Sequence, residues 1–504
     1  MKCTLVGAAF VGTLLSTWAF GQQILFAETF LAGEGGVAVD VFQTSGRREF
    51  RAIPTTPFST HICTQREPLD IDAAEVRGHY RGLGVSMTDA SCWLLSRLTS
   101  EKRRALLEAV FSPKGAALGW VRLNIGASDY STGLYTYDDW ANDVEMRHFS
   151  VKRDDNWVFP MVKEALAINP GIVLFASPWS PPAWMKTSNT LTDGGFKDGC
   201  EEAMANYLVA YVKACRERGL DLKAVTVQNE SAYSTKGCYP SCVYTDEQEA
   251  AVSRRFAAKA KDEGLSTKVW LWDWNTCEKE MPERLRHQLA NDETRAAIGG
   301  VAWHSYGQCS ANLEILKREY PEIPFYHTEM GPALGDSGTS GRTPKFWCGK
   351  VAEMLENGCE TFTSWNLCLD VEGGPTTGPY HCAGFVEVDV ETGTFTPSPQ
   401  YHLFRHIGPF VKPGAEVLRV KGDRDGLGVL LFRNPDGAYV LVVAAGADGG
   451  VEHKDEPDVK QRPRLYVKFG SEMKQLSLPS GTWSVTTMVF RHRAQGCKGA
   501  RHEW

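Results

Sequence analysis

Two carboxylic acids in this chain stand where apolar runs stop, a placement suited to acid–base or nucleophilic work. The run Ala224-Val-Thr-Val-Gln is followed by Asn229-Glu230, an amide and then an acid. The run Phe325-Tyr-His-Thr ends in Glu329, with Met330-Gly331-Pro332 behind it. A third run ends in Ser364-Trp365-Asn366. In a chain with 61 acidic residues a glutamate taken at random is a solvated surface charge, but one that terminates a buried run is held against a core that can tune its pKa. Two carboxyls facing each other across a cleft fit glycosidic-bond cleavage. At about 5 Å one attacks and the other serves as acid and base, whereas a gap above about 6.5 Å admits an activated water and inverts the sugar. Spacing along the chain leaves that choice open.

Metal chemistry has weaker support. His304, His327, Asp273 and Glu329 offer ligand atoms, but they come from separate runs without an H-x-H or H-E-x-x-H spacing. Cys238-Tyr-Pro-Ser-Cys242 has no second His/Cys pair nearby and reads as a local disulfide or two free thiols, so neither a metal nor a cofactor is expected.

Acids of this kind need a scaffold that gathers strand ends. Eight short apolar runs alternate with helix-period segments: Gly82–Met87, Trp120–Gly126, Gly171–Ser177, Lys223–Gln228, Lys268–Asp273, Gly299–His304, Pro324–Thr328 and Thr361–Trp365. In Glu201–Arg218, for example, Met204, Tyr207, Leu208, Tyr211, Val212 and Cys215 recur at helical spacing, and Gly219 can cap the end. Eight strand–helix units predict an α/β fold, a (β/α)8 barrel with its catalytic groups at the C-terminal strand ends. A doubly wound sheet competes, yet Gly82-Leu-Gly84 lacks the third glycine and the ribose-binding acid of a dinucleotide fingerprint. Trp270, Trp272 and Trp274 alternate and are expected to share one face under a helix or loop, with Asp273 turned the other way into the barrel mouth.

After residue 400 the texture changes to Val/Leu/Tyr runs divided by turn residues, such as Gly428–Phe432, Asn434-Pro-Asp-Gly437 and Ala438–Ala445, which predicts a β-sandwich. Val37–Arg51 has the same texture, so the side domain is expected to be built from both chain ends. The expected division is a signal peptide over 1–21, a barrel over 75–400, and a sandwich from 24–74 plus 401–504. Glu452–Pro463, charged and proline-containing, reads as a solvated loop.

The chain has 504 residues, 43% of them hydrophobic, enough to bury a large core. Its 54 basic and 61 acidic residues leave a net charge of −7, and it has no Lys/Arg tract to neutralise a phosphate backbone, which counts against a nucleic-acid partner. Fifteen tryptophans supply flat faces on which sugar rings can stack. Lys2, the apolar run Leu5–Phe20 and Ala19-Phe20-Gly21 ahead of Gln22-Gln23 have the layout of a secretory signal peptide, which predicts a secreted or extracytoplasmic protein. A signal anchor is the alternative, but the run is short of the ~20 residues a span needs, and no later stretch is apolar enough to cross a membrane.

Several segments, in order, carry a resemblance: Gly82-Leu-Gly-Val-Ser-Met-Thr-Asp89-Ala90, Arg122-Leu-Asn-Ile-Gly-Ala-Ser-Asp129-Tyr130, Ala176-Ser-Pro-Trp179-Ser-Pro-Pro-Ala-Trp184-Met-Lys-Thr187, Gln228-Asn229-Glu230, His304-Ser-Tyr306 and His327-Thr-Glu329. Together they resemble glycoside hydrolase family 30, which includes lysosomal-type glucosylceramidases, β-1,6-glucanases and β-xylosidases. The resemblance implies a barrel with an attached β-sandwich, a carbohydrate or glycolipid substrate, and retaining hydrolysis. By position it makes Glu230 the acid/base and Glu329 the nucleophile. It has Asn229 hold the sugar's 2-hydroxyl, lines the glycone subsite with Asp129, Trp179 and Trp365, and uses Arg122, His304 and Tyr306 to orient the carboxylates. One position departs from the family: Asn-Glu is usually followed by Pro, and here Ser231 follows Glu230. The expected function is a secreted retaining β-glycosidase of glucosylceramidase type. An endo-β-1,6-glucanase or β-xylosidase is the close alternative and a non-catalytic carbohydrate-binding barrel the distant one. The loops Thr187–Cys200, Thr235–Tyr244 and Gly373–Ala383 are placed to choose the substrate, with no physical reading from sequence.

Overall fold

The structure, a computed structural model, describes residues 37–491 except 47, 54–61, 63, 65, 280, 308–309, 332–341, 423, 425, 447–463 and 480–481. The expected signal peptide, the Glu452–Pro463 loop and Pro332 lie outside the described residues.

Among the described residues three strands precede the barrel: β1 (Ala38–Ser45), β2 (Arg48–Ile53) and β3 (Leu69–Tyr80). The barrel strands are β4 (Gly82–Ser86), β5 (Trp120–Ile125), β6 (Val173–Pro178), β7 (Leu222–Thr226), β8 (Lys268–Asn275), β9 (Ile298–His304), β10 (Phe325–Glu329) and β11 (Thr361–Ser364), one for each of the eight runs. They pair in parallel in the order β10-β9-β8-β7-β6-β5-β4-β11. Single hydrogen bonds draw the ring together between its ends: Glu360 N donates to Phe325 O at 2.8 Å, Met330 N to Thr363 O at 3.2 Å and Trp365 N to Met330 O at 3.0 Å.

The barrel interior is layered. Trp120, Phe175, Ala224, Trp270, Ala302 and Tyr326, one from each of β5 to β10, pack together as an apolar plug, with Trp270 stacked on Tyr326 at 4.2 Å. The next inward positions toward the C-terminal ends are polar: Arg122, Ser177, Thr226 and Thr328. The expectation that Trp270, Trp272 and Trp274 share a face is corrected here. Trp270 points inward, whereas Trp272 and Trp274 pack outward in the main core, 5.4 Å apart. The cause is an irregularity in β8: its register on β9 shifts between Trp272 and Trp274, and Trp272 and Asp273 have φ of 76° and 49°. A bulge of this kind resets the alternation and re-aims the side chain after it.

Beyond the barrel come a small sheet of β12 (Cys368–Leu369), β13 (Val386–Asp389) and β14 (Thr394–Pro397), then β15 (Ala415–Lys421), β16 (Gly428–Arg433), β17 (Tyr439–Gly446), β18 (Arg464–Phe469), β19 (Glu472–Ser477) and β20 (Trp483–Arg491). The last six join the first three in one sheet of order β19-β18-β3-β15-β16-β17-β20-β1-β2, a side domain made from both chain ends. β1 pairs antiparallel with β20 from Ala38↔Arg491 to Ser45↔Ser484. β3 runs past residue 75 and pairs with β15 as far as Tyr80. The sheet folds back on itself: Phe469 of β18 packs on Phe490 of β20 at 5.1 Å.

Both faces of the central strands are buried. Val429, Leu431, Leu441 and Val443 face the sheet's own interior. Their neighbours Leu430, Phe432, Val440 and Val442 join the barrel core, which explains the unbroken apolar run at residues 440–445. The helix Pro344–Leu355 forms that junction, so close that a Cβ on Gly428 would meet Cys348 Cβ at 2.8 Å. No helix among the described residues is long and apolar enough to cross a membrane. Cys238 and Cys242 are two free thiols, the first exposed and the second buried.

Candidate active site

Arg122, on β5, is fully buried and organises the barrel mouth. Its Nη1 donates to Glu329 Oε2 at 2.6 Å and to Thr328 O at 3.3 Å. Its Nη2 donates to Asp273 Oδ2 at 2.7 Å and to Asn229 Oδ1 at 2.9 Å, and Nε reaches Ser177 Oγ at 3.3 Å. A buried guanidinium is tolerable only when its donors are filled by such partners.

Asp273 is the paired anion. Besides Arg122 it accepts from Ser177 Oγ and Thr226 Oγ1, each at 2.8 Å, and from Thr328 Oγ1 at 2.6 Å. Burial opposes its charge, but Arg122, His304 and Thr328 hold its carboxyl well below the usual range. The sequence reading turned Asp273 toward the mouth without giving it a role. Its signal was an acid inside the apolar run Val269-Trp-Leu-Trp-Asp-Trp274.

Glu329 is the last residue of β10 and is 6% exposed. With Oε2 on Arg122, its Oε1 accepts the Tyr306 hydroxyl at 2.9 Å. Glu230 stands in the turn after β7 with φ of 53°, and its N–H donates to the Asp273 carbonyl at 3.0 Å. One oxygen of Glu230, one of Glu329 and a nitrogen of His304 lie within 4.8 Å of one another. His304, at the end of β9, points Nε2 at Asp273 Oδ1 (3.2 Å), while Nδ1 lies 3.4 Å from Glu230 Oε1 and 3.9 Å from Glu329 Oε1. Burial works against a charged imidazole, but Glu329, Asp273 and Glu230 outweigh it and raise His304 to about 9. Burial pushes Glu230 up; His304 pulls it down, and Glu329 and Asp273 push it up again, with a raised net result.

The remaining expected residues line the same space. Trp179, directly after β6, stacks on Trp365, directly after β11, with centroids 5.0 Å apart, and the Arg122 guanidinium lies 4.8 Å from the Trp179 ring. Asn229 has its amide oxygen on Arg122, so its amide nitrogen is the group left to meet a ligand. Asp129 has a buried Oδ1 with no partner among the described residues. Burial, then Glu329 and Glu230, raise its carboxyl well above the ordinary value. All nine residues expected from sequence therefore meet at one end of the barrel.

The loops that sequence left unread also converge here. Thr376 Oγ1 and Thr377 N donate to the Asp129 carbonyl at 3.0 and 2.6 Å, and Tyr380 meets Tyr239 edge-on at 5.9 Å. Lys186, fully buried, ties two loops together through Leu191 O at 2.8 Å and Ser241 O at 2.5 Å.

Ser231, the departure from the family, has its hydroxyl 3.3 Å from Glu249 Oε2 and 3.5 Å from the Trp272 carbonyl, and accepts from Arg284 Nη2 at 3.3 Å.

Comparison with known proteins agrees with this fold. The family model described as "Glycosyl hydrolase family 30 TIM-barrel domain" matches residues 80–411. An endo-1,6-β-D-glucanase of Neurospora crassa is 28% identical over 385 residues, covering 72% of this chain and 78% of that one. The lysosomal acid glucosylceramidase of Mus musculus is 27% identical over 384 residues, covering 72% and 74%. Among solved structures, the endo-β1,6-glucanase BT3312 superposes with a TM-score of 0.77 at 25% identity, over 90% of this chain and 99% of that one.

Proposed function

The chain belongs to glycosyl hydrolase family 30, and from that premise we propose that it is a retaining β-glycosidase acting on β-glucosides, with Glu329 as nucleophile and Glu230 as acid/base. The observation that carries the reading is the carboxylate pair. Oxygens within 4.8 Å suit direct attack and leave no room for the water an inverting enzyme holds between its acids. The surroundings of the two acids support the division of roles. Glu329 is held and aimed by Arg122 and Tyr306, while Glu230 is raised and so fit to keep a proton.

Glu329 attacks the anomeric carbon as the glycosidic bond breaks, and the leaving oxygen takes the proton from Glu230. Glu230, now a carboxylate, removes a proton from water. That water attacks the same carbon, breaks the glycosyl–Glu329 ester and leaves Glu230 protonated again. Asn229 Nδ2 and the unpartnered Asp129 Oδ1 meet sugar hydroxyls, and the Trp179–Trp365 stack packs against the ring's apolar face.

A second reading of substrate, β-1,6-linked glucan, is favoured by the glucanases among the relatives; a glucosylceramide-like glycolipid is the first, in line with the mouse enzyme. Hydrolysis of aryl β-glucoside, aryl β-xyloside, glucosylceramide and pustulan separates them. NMR of the first-formed anomer tests the mechanism: β-anomer is expected, and α-anomer refutes retention. Secretion is part of the proposal on the strength of Leu5–Phe20. Exported protein beginning near Gln22 on N-terminal sequencing is the expected result; retention of Met1 counts against it.

A further inference from the structure

On the glycosidase reading above, we infer that Glu249 is a positioning residue for Glu230, acting through the bend in β8 and through Ser231. Glu249 lies in the helix Asp246–Asp262, its side chain 1% exposed. Both oxygens are filled. Oε1 accepts the Trp272 N–H at 2.7 Å, and Oε2 accepts from Arg284 Nη2 at 2.8 Å, Gln288 Nε2 at 3.0 Å and the Ser231 hydroxyl at 3.3 Å. A carboxylate is costly to bury. This one lies outside the barrel wall, away from the reacting carboxylates, yet its partners flank the acid/base on two sides.

The first route runs through β8. Trp272 and Asp273 are non-glycine residues at positive φ, as is Glu230, a conformation that persists only where surrounding bonds impose it. At the bulge Glu249 takes up the Trp272 N–H. The next residue, Asp273, offers its carbonyl to the Glu230 N–H and its carboxylate to His304, which faces Glu230. The second route is direct, because Ser231 is the neighbour of Glu230 in the chain. A proline at 231 would stiffen that backbone by locking φ; the serine instead ties it to Glu249 and Arg284 through its hydroxyl. Arg284 extends the anchor to the Tyr244 carbonyl at 2.9 Å, at the end of a cleft loop. Glu329's own hydrogen bonds come from Arg122 and Tyr306; Asp273 links to Arg122 as well, but the Ser231 route and the Asp273 carbonyl act on Glu230 alone, so loss of Glu249 displaces the acid/base more than the nucleophile.

The signature is therefore a dependence on the leaving group. Expulsion of a dinitrophenolate needs little proton donation, whereas an unactivated phenol or alcohol needs Glu230 in place. In Glu249→Ala, kcat/KM is expected to fall ~100-fold for phenyl β-glucoside and less than ~3-fold for dinitrophenyl β-glucoside. Ser231→Ala should show the same slope at smaller size, ~5-fold against no change, and Glu249→Gln, which keeps an acceptor for Trp272 N–H, should fall between. Circular dichroism and thermal unfolding establish that each variant is folded; should Glu249→Ala not fold, Ser231→Ala and Glu249→Gln decide the matter. Equal losses on both substrates, or none, overturn the positioning role. A wild-type protein inert on both glucosides, on aryl β-xyloside, on glucosylceramide and on pustulan defeats the glycosidase reading itself.

Discussion

The two glutamates differ only in what surrounds them, and rescue chemistry can read that difference. On the proposed assignment Glu329→Ala removes the nucleophile, so turnover of every substrate should vanish unless an external nucleophile is supplied. Azide then replaces the lost side chain in a single inversion and gives the α-glycosyl azide. Glu230→Ala still forms the glycosyl-enzyme from a dinitrophenyl β-glucoside but lacks the base for water, so azide should restore turnover and give the β-azide. The opposite pairing of anomers would reverse the assignment. His304, raised to about 9 between its acidic neighbours, makes a separate prediction with a definite sign. Its cation lowers Glu230, so His304→Gln should move the basic limb of the kcat/KM profile to higher pH while reducing kcat. The same shift is a stability statement. With the folded value above the ordinary 6.5, the stabilisation is fully present below about pH 6.5 and lost as pH rises through about 9. It amounts to roughly 3 kcal/mol. Urea unfolding of wild type and variant at three pH values checks it: the gap between them should narrow toward alkaline pH.

At the scale of elements, each barrel strand from β5 to β10 carries an apolar residue below and a polar one above. The period of two along a strand separates the layer that stabilises from the layer that reacts. Trp270 belongs to the lower layer, stacked on Tyr326 and 5.3 Å from Phe175. Trp270→Ala should therefore cost about 3–5 kcal/mol of stability. The KM for an aryl glucoside should change by less than about twofold, because the Arg122–Asp273 layer keeps its own hydrogen bonds. Thermal unfolding alongside steady-state kinetics tests the separation; a large rise in KM with unchanged unfolding temperature would mean the plug and the site are not independent. Two breaks in this periodicity bear on the site: the bulge in β8, which falls where Asp273 must enter the upper layer, and the register shift of β10 on β9 between His327 and Glu329, after which Thr328 and Glu329 both face the site.

At the scale of the molecule, the side domain and barrel share a core, so they are expected to unfold together. Thr44 on β1 meets His406 Nε2 at 2.8 Å, and the other ring nitrogen meets Thr487 Oγ1 on β20, also at 2.8 Å. Phe42 packs on Phe410 at 4.6 Å. His406 is thereby clamped between the first and last strands among the described residues. A truncation that begins after Ile53 removes β1 and β2, exposes the β20 edge and uncovers Phe410. Its unfolding midpoint should drop for the whole chain in one transition, visible by calorimetry. An unchanged midpoint would argue that the N-terminal strands are dispensable.

The eight barrel strands, the two-ended side domain and the two glutamates that meet at the barrel mouth were legible in the sequence. Each depends on local pattern: apolar runs of strand length, turn residues between them, and acids where the runs end. What the pattern could not carry was the outcome of contacts between distant residues. One oxygen of Glu230 and one of Glu329 lie within 4.8 Å because β7 and β10 are curved into one ring, and no spacing along the chain encodes that distance. The tryptophans of β8 parted, against the alternation read from sequence, because Glu249 on a helix takes the Trp272 N–H and the bulge there carries Asp273 inward. Ser231 reads from sequence only as a missing proline; its role emerged when folding brought Glu249 and Arg284 to its hydroxyl. Local periodicity is written residue by residue in the chain, whereas register, strain and the pairing of buried charges exist only once the barrel has closed.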